Sequence, residues 1–352
     1  MRHVVFDAQV TALLQAPKEL ALWTEQAQRW LADTADGAHR RIVTLGDTAY
    51  PAALLQTADP PVLLYVMGAP AFDLAQLARS IAVVGSRNPT AQGASNARAF
   101  ARALVEADVV VVSGMALGVD GAAHEGAVEA AEAAKDRGHR LATVAVVGTG
   151  LDRVYPARHR ALAHRIAQHG LIVSEFPLGT PPLTQNFPQR NRILAGLTRA
   201  TLVVEAALQS GSLITARLAV EQGKDVFAIP GSIHSPQSRG CHALIRQGAK
   251  LVETVQDIFE DLQLEGGGMA PAPGRFDAID AAGAEQADDP ADGDAAAHPL
   301  LAALGYDPVS LDALGARTGW SAAQLQAQLL ELELAGEVAR LPGGLFQRRT
   351  NA

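Results

Sequence analysis

Between residues 79 and 254 one pattern recurs, and it restricts the possible folds more than any other feature of the chain. A short apolar run rich in β-branched residues leads into a glycine-containing turn and then a helical stretch. The runs are Ser80–Val84, Val109–Ser113, Ala142–Val147, Leu171–Ser174, Thr201–Glu205, Asp225–Ile229 and Lys250–Glu253. Between them, the spacing predicts helices over Ala91–Ala107, Gly121–Ala134, Arg158–Gln168, Gln189–Leu197, Ser212–Gln222 and Cys241–Gln247. Runs so uniformly apolar suit strands buried on both faces, as in a parallel sheet covered by helices. The alternation therefore predicts βαβ units in a doubly wound α/β domain.

The flanks read differently. The first 45 or so residues look helical, with Trp23 and Trp30 seven apart on one face, and predict a small helical cap. Residues 266–298 are an Ala/Asp/Gly/Pro tract almost without large apolar side chains, as expected of a disordered acidic linker. Periodicity returns at Pro299. Leu300, Leu301 and Leu304 begin one helix, Ser310 caps a second through Arg317, and Ser321 caps a third through Ala335. A hairpin follows, with Glu337–Arg340 and Leu345–Arg348 joined at Gly343-Gly344. Together these make a small winged-helix-like domain. The expected division is 1–75 helical region and lead-in, 76–262 core, 263–298 linker and 299–352 winged-helix-like domain.

Charge follows this division. The chain of 352 residues carries −8 overall, but residues 79–254 hold 19 basic and 13 acidic side chains, a net +6. The segments on either side are acidic. A basic middle admits an anionic ligand without specifying one. A single cysteine, Cys241, excludes a disulfide framework and a cysteine-built zinc site, and suits a reducing compartment. No apolar stretch approaches a membrane span, and the first ten residues lack a signal-peptide core. A soluble, cytoplasmic protein is expected.

In a doubly wound sheet, ligands gather outside the carboxyl ends of the strands. Four distinctive loops fall there. Gly85-Ser86-Arg87-Asn88-Pro89-Thr90 offers a sharp turn, free amides, a hydroxyl and a guanidinium fork. Ser113-Gly114 opens a loop leading into a helix N-terminus, which attracts anions. Gly148-Thr149-Gly150 and Ser210-Gly211-Ser212 complete an expected anion-binding rim. The third glycine of G-x-G-x-x-G is missing and no P-loop occurs, which disfavours an ordinary dinucleotide site or a P-loop ATPase. Asn186-Phe187-Pro188-Gln189-Arg190-Asn191-Arg192 places an aromatic beside two arginines. That arrangement suits single-stranded nucleic acid, with a base on the ring and phosphates on the guanidiniums. It equally suits a core phenylalanine whose arginines pair with Glu175 or Glu205.

Catalytic readings are weaker. His124-Glu125 begins H-E-x-x-H, but Val128 stands at the second histidine position. His159, His164 and His169 are spread around a helix and read as surface residues, and Cys241 reads as a small apolar core residue. Glu175 and Glu205 lack a nearby nucleophile or metal set. The third C-terminal helix has no Lys or Arg and ends acidic, so protein contact or packing suits it better than DNA reading. Arg340, Arg348 and Arg349 on the hairpin remain available for backbone contact.

Taken in order, Ile81–Arg87, Ser113–His124, Gly148–Pro156, Ser174–Pro177, Phe187–Ile193, Glu205–Arg217 and Pro230–His234 resemble the motifs of the DNA-processing protein A family (DprA, also called Smf). The resemblance runs from about Tyr50 to Val252. It implies an extended Rossmann-like, mostly parallel sheet with a C-terminal winged-helix-like domain. It also implies sequence-blind binding of single-stranded DNA, protection of incoming DNA during natural transformation and loading of the RecA recombinase. Homodimers are implied, with no catalysis and no cofactor. The implied DNA pocket takes in Gly85, Ser86, Arg87, Ser113, Gly114, Phe187, Arg190, Asn191, Arg192 and Gly211, and it favours stacking for Phe187. His242, Ile245 and Leu251 are expected at a dimer or partner surface. The rival reading is a nucleotide-binding or N-glycoside-cleaving enzyme of similar topology, although Ala216 stands where such enzymes carry a glutamate.

Overall fold

The computed structural model describes residues 19–134, 140–263, 298–341 and 343–348. The acidic tract read as a linker and Arg349 lie outside the described residues. Helix α1 (Leu20–Ala32) opens the described chain, and only Trp30 on it is buried, set edge-on against Tyr65 at 5.7 Å. Trp23 faces solvent. The helical reading of the first 45 residues ends there, because His39–Thr44 forms strand β1. β1 pairs antiparallel with β2 (Leu63–Gly68), burying Val43 while Arg40 folds back onto Asp36.

The remaining strands follow the expected runs closely: β3 (Ser80–Val84), β4 (Val110–Ser113), β5 (Thr143–Val146), β6 (Gly170–Ser174), β7 (Ala200–Val203), β8 (Asp225–Ala228) and β9 (Lys250–Leu251). Their helices are α2 (Ala91–Glu106), α3 (Val119–Ala133), α4 (Arg160–His169), α5 (Asn186–Leu197), α6 (Ser212–Glu221), α7 (Arg239–Arg246) and α8 (Val255–Leu262). One nine-stranded sheet results, in the order β1-β2-β6-β5-β4-β3-β7-β8-β9. It is parallel from β6 through β9, and β2 joins it antiparallel to β6. From β5 to β9 this is the doubly wound order 3-2-1-4-5-6, so the chain reverses direction across the sheet beside β3 and β7.

Alternation within the strands feeds two cores. Ile81, Val83 and Val111 pack beneath α2, α3 and α8 with Phe100, Leu104 and Phe227. Val110, Val112, Val144 and Val146 face the other way, onto Ile193 and Leu194 of α5 and Leu54 of the lead-in. The first layer is thin where α2 and α3 cross, because Ala97, Ala101, Ala123 and Ala127 leave the helices close together. At Gly126 a β-carbon would collide with the Arg98 carbonyl. Gly126→Ala should therefore destabilise the protein by about 1–3 kcal/mol through overpacking, although alanine is the better helix former. A thermal midpoint equal to or above wild type would show that the helices do not meet so closely.

The C-terminal unit comprises α9 (Pro299–Leu304), β10 (Val309–Ser310), α10 (Leu311–Thr318), α11 (Ala322–Leu334), β11 (Val338–Leu341) and β12 (Leu345–Arg348). Ser310 caps α10 through the Ala313 amide, and Ser321 with Gln324 forms a capping box on α11. Leu300, Leu304, Leu314, Leu325, Leu329 and Phe346 close a separate small core under a three-stranded sheet. This is a winged helix. Arg317 Nη2 donates to Gln92 at the start of α2, 3.3 Å away. Among the described residues no helix is long and apolar enough to cross a membrane.

Candidate nucleic-acid interface

The loop after β3 is clamped at its base. The Ser86 amide donates to the Glu205 carbonyl at 2.7 Å, and the Ser86 carbonyl accepts from Val119 at 3.1 Å. Gly85 has no room for a side chain, since a β-carbon would lie 2.7 Å from Val119 and 2.8 Å from the Glu205 carbonyl. Further on, the Glu205 carboxylate accepts from the Thr90 amide and hydroxyl at 2.9 and 2.6 Å, while Thr90 caps α2 through Gly93. Burial raises the Glu205 carboxyl above the usual range, against the pull of the two Thr90 bonds. Glu205 thus braces the loop, and among the described residues it forms no ion pair with an arginine.

Arg87 projects from that loop into solvent, with its guanidinium carbon 5.5 Å from the centroid of the Phe187 ring. Phe187, in the first turn of α5, is half-buried, and Tyr155 lies tilted against it at 5.7 Å. Behind the ring the backbone is tight: a β-carbon on Gly148 would sit 3.2 Å from Phe187. The Gly148 carbonyl also accepts from Asn186 Nδ2 at 3.0 Å. Beyond the ring opens a cleft of about 530 Å³ lined by Gly85, Ser86, Arg87, Phe187, Asn191 and Gly211, among others. It stands at the reversal between β3 and β7, where the strand order predicts a ligand crevice.

Not every expected residue reaches this cleft. Ser113 is wholly buried, its hydroxyl donating to the Val83 carbonyl at 2.7 Å. Gly114 is buried too, with its carbonyl accepting from Arg190 Nη1 at 2.6 Å. Arg190 is 4% exposed and donates as well to the Val146 carbonyl, so it forms the floor of the cleft rather than its rim. Asp120, also buried, faces this floor and accepts from the Ala116 amide at 3.3 Å. Burial lowers Arg190 to about 10, with Asp120 holding it up, and raises Asp120, with Arg190 holding it down. Arg192 lies elsewhere, paired with Glu175 and reaching Asp59 at 3.3 Å. The Gly148-Thr149-Gly150 turn backs the site: Gly148 holds Asn186 of α5, and the Thr149 carbonyl accepts from Ser174 at the end of β6 at 2.7 Å. The rim is accordingly built from the loops after β3 and β7 and the first turns of α5.

Sequence reasoning missed Tyr155 as the neighbour of the Phe187 ring. The available signal was an exposed-type aromatic within ten residues of the carboxyl end of β5. The histidines also divide. His164 is exposed, but His159 is half-buried with Nδ1 facing the Met115 carbonyl at 3.1 Å, contrary to the surface reading. Met115 is held with φ +58°, in the left-handed region, at the turn that presents this carbonyl. His124 is wholly buried, its Nδ1 2.8 Å from the Thr143 hydroxyl. Cys241 is buried, and burial pushes its thiol up to about 12.

The sheet order, the cleft at its reversal and the winged helix together define a Rossmann-like protein with a basic-and-aromatic site at the switch point. A family model described as DNA recombination-mediator protein A matches residues 41–263, and the DprA winged helix domain model matches 284–344. The chain belongs to the DNA recombination-mediator protein A (DprA/Smf) family. Protein Smf of Escherichia coli is 39% identical over 347 residues, covering 94% of this chain and 86% of the relative. DNA processing protein DprA of Streptococcus pneumoniae is 45% identical over 217 residues, 62% of this chain and 72% of its own. Its X-ray structure superposes with a TM-score of 0.57, covering 63% and 74% of the two chains at 43% identity. DNA processing protein A of Helicobacter pylori, described for its unique single-stranded DNA binding mode, has a TM-score of 0.55 at 30% identity. That match covers 64% of this chain and 98% of the other.

Proposed function

We propose that this protein binds single-stranded DNA without sequence preference in the cleft at the β3–β7 reversal, protects it and delivers it to the RecA recombinase in natural transformation or recombination. It does so as a cytoplasmic homodimer, without catalysis or cofactor. The observation that carries this reading is the Arg87 guanidinium standing over the half-exposed Phe187 ring at the mouth of the cleft. A base stacks on such a ring and a phosphate meets such a cation, and neither contact depends on which base is present. Membership of the DprA/Smf family and the single-stranded DNA binding of the Helicobacter pylori protein support it. Ser86, Asn191 and Gly211 line the same cleft and supply polar groups for the backbone.

The dimer and recombinase surfaces are assigned to the α7–β9 edge of the core. There Leu251 is half-exposed, Ile245 packs partly against the core, and His242 Nε2 donates to the Gly231 carbonyl at 3.0 Å.

Fluorescence anisotropy with labelled oligo-dT across a salt series tests the function. Wild type should bind it more tightly than the matching duplex, with affinity falling steeply as salt rises through counterion release. Arg87→Ala should bind every sequence more weakly and lower the slope of log affinity against log salt by about 0.7 for one lost phosphate contact. Equal affinity for duplex and single strand, or an unchanged slope in Arg87→Ala, would overturn this use of the cleft.

A further inference from the structure

We propose that Arg190 is a positioning residue and not a phosphate contact: its buried guanidinium ties the ends of β4 and β5 to α5 and so fixes Phe187 at the cleft. The inference rests on the reading of the cleft as a DNA site. Its starting point is the contrast between two arginines in one site. Arg87 is exposed and stands over a ring, whereas Arg190 is 4% exposed and spends Nη1 on the carbonyls of Gly114 and Val146. Val146 ends β5, and Gly114 follows the last residue of β4. Buried carbonyls where strands pass into loops must find donors, because an unpaired one is costly.

Arg190 satisfies two of them with one planar group. It lies three residues after Phe187 on α5, so the two side chains share a helix face. Holding the guanidinium therefore holds the ring. A strand phosphate could reach Arg190 only by displacing these carbonyls, and the buried Asp120 carboxylate beside it opposes an incoming anion. Gly114 completes the arrangement, because a β-carbon there would fall on the Arg190 guanidinium and 2.5 Å from Asp120 Oδ2.

The test uses the full chain and labelled oligo-dT across the same salt series. A lysine at 190 keeps the charge, but its ammonium ends one bond short of Nη1, the nitrogen that reaches both carbonyls. Arg190→Lys should lose affinity by about tenfold at every salt concentration, the equivalent of one charge-assisted hydrogen bond, with the wild-type slope. Gly114→Ala, which removes no charge, should behave in the same way. Arg190→Lys with wild-type affinity would overturn the inference, since a phosphate contact accepts either cation. A folded Arg190→Ala whose slope falls as that of Arg87→Ala does would also overturn it. So would variants that melt earlier yet bind normally while folded, for then Arg190 serves stability alone.

Where a substitution prevents folding, wild-type protein decides by NMR. On adding oligo-dT the Arg87 Nε–H resonance should shift while Arg190 stays slowly exchanging and in place; a directly shifted Arg190 Nη signal would overturn the inference. Failure of wild type to bind oligo-dT would instead remove the proposed function, and it is read in the same titration.

Discussion

Phe187→Ala should bind oligo-dT more weakly than wild type by about 1–3 kcal/mol for each base stacked on the ring, at nearly unchanged thermal stability. The ring is half-buried between Tyr155 and the Arg87 guanidinium, so its truncation opens the mouth of the cleft and leaves both cores intact. Phe187→Trp should keep most of the affinity, because any aromatic face offers the same sequence-blind stacking. The salt dependence should stay that of wild type, since the ring carries no charge; this separates the effect from that of Arg87→Ala. Anisotropy titrations with a parallel melting curve provide the check. A variant that melts early but binds normally while folded would mean that the ring is a core residue.

Acid should unfold the protein through His124. This histidine is wholly buried on α3 with Nδ1 against the Thr143 hydroxyl, and His159 and Arg190 are the charged or titratable groups near it. Burial first, then those neighbours, lowers its pKa from 6.5 to about 3. Above 6.5 the ring is neutral in both folded and unfolded chains. As pH falls below 6.5 the unfolded chain takes up a proton that the folded one refuses. Stability then drops by about 1.4 kcal/mol per pH unit, until the folded ring protonates as well. Urea unfolding of wild type and His124→Asn between pH 7 and 4 measures this. The wild-type curve should fall more steeply by roughly that amount per unit, and parallel curves would refute the assignment.

Much of the fold was legible because the strands of a doubly wound sheet bury both faces. Ser80–Val84 and its counterparts stand out as continuous apolar runs, and the observed strands begin and end within two residues of them. β2 is an apolar run of the same kind but lies outside the repeating strand–turn–helix pattern, and β1 escaped notice for the opposite reason. His39–Thr44 contains two arginines and only one fully buried valine, which in isolation does not distinguish an edge strand from a helix. In the site, Arg87, Phe187 and the Gly85 turn were legible, because turn chemistry and an aromatic beside cations are local features. The fates of Arg190 and Arg192 were not. One is satisfied by carbonyls contributed by β4 and β5, the other by Asp59 and Glu175 from distant segments. Only the spacing held a hint, since residues two apart on a helix do not face the same way.

The two edges of the large sheet have a bearing on how copies of this protein meet. At one side, among the described residues, β9 is only two residues long, too short to template the backbone of another chain. At the other, β1 carries Arg40 and Arg41. Arg40 is tied to Asp36, and Arg41 Nη2 donates to the Phe72 carbonyl at 2.5 Å. Charged residues and short strands at sheet margins discourage open-ended strand addition. Neither margin of the sheet therefore offers another chain a long, flat, unpaired strand on which to build a fibre.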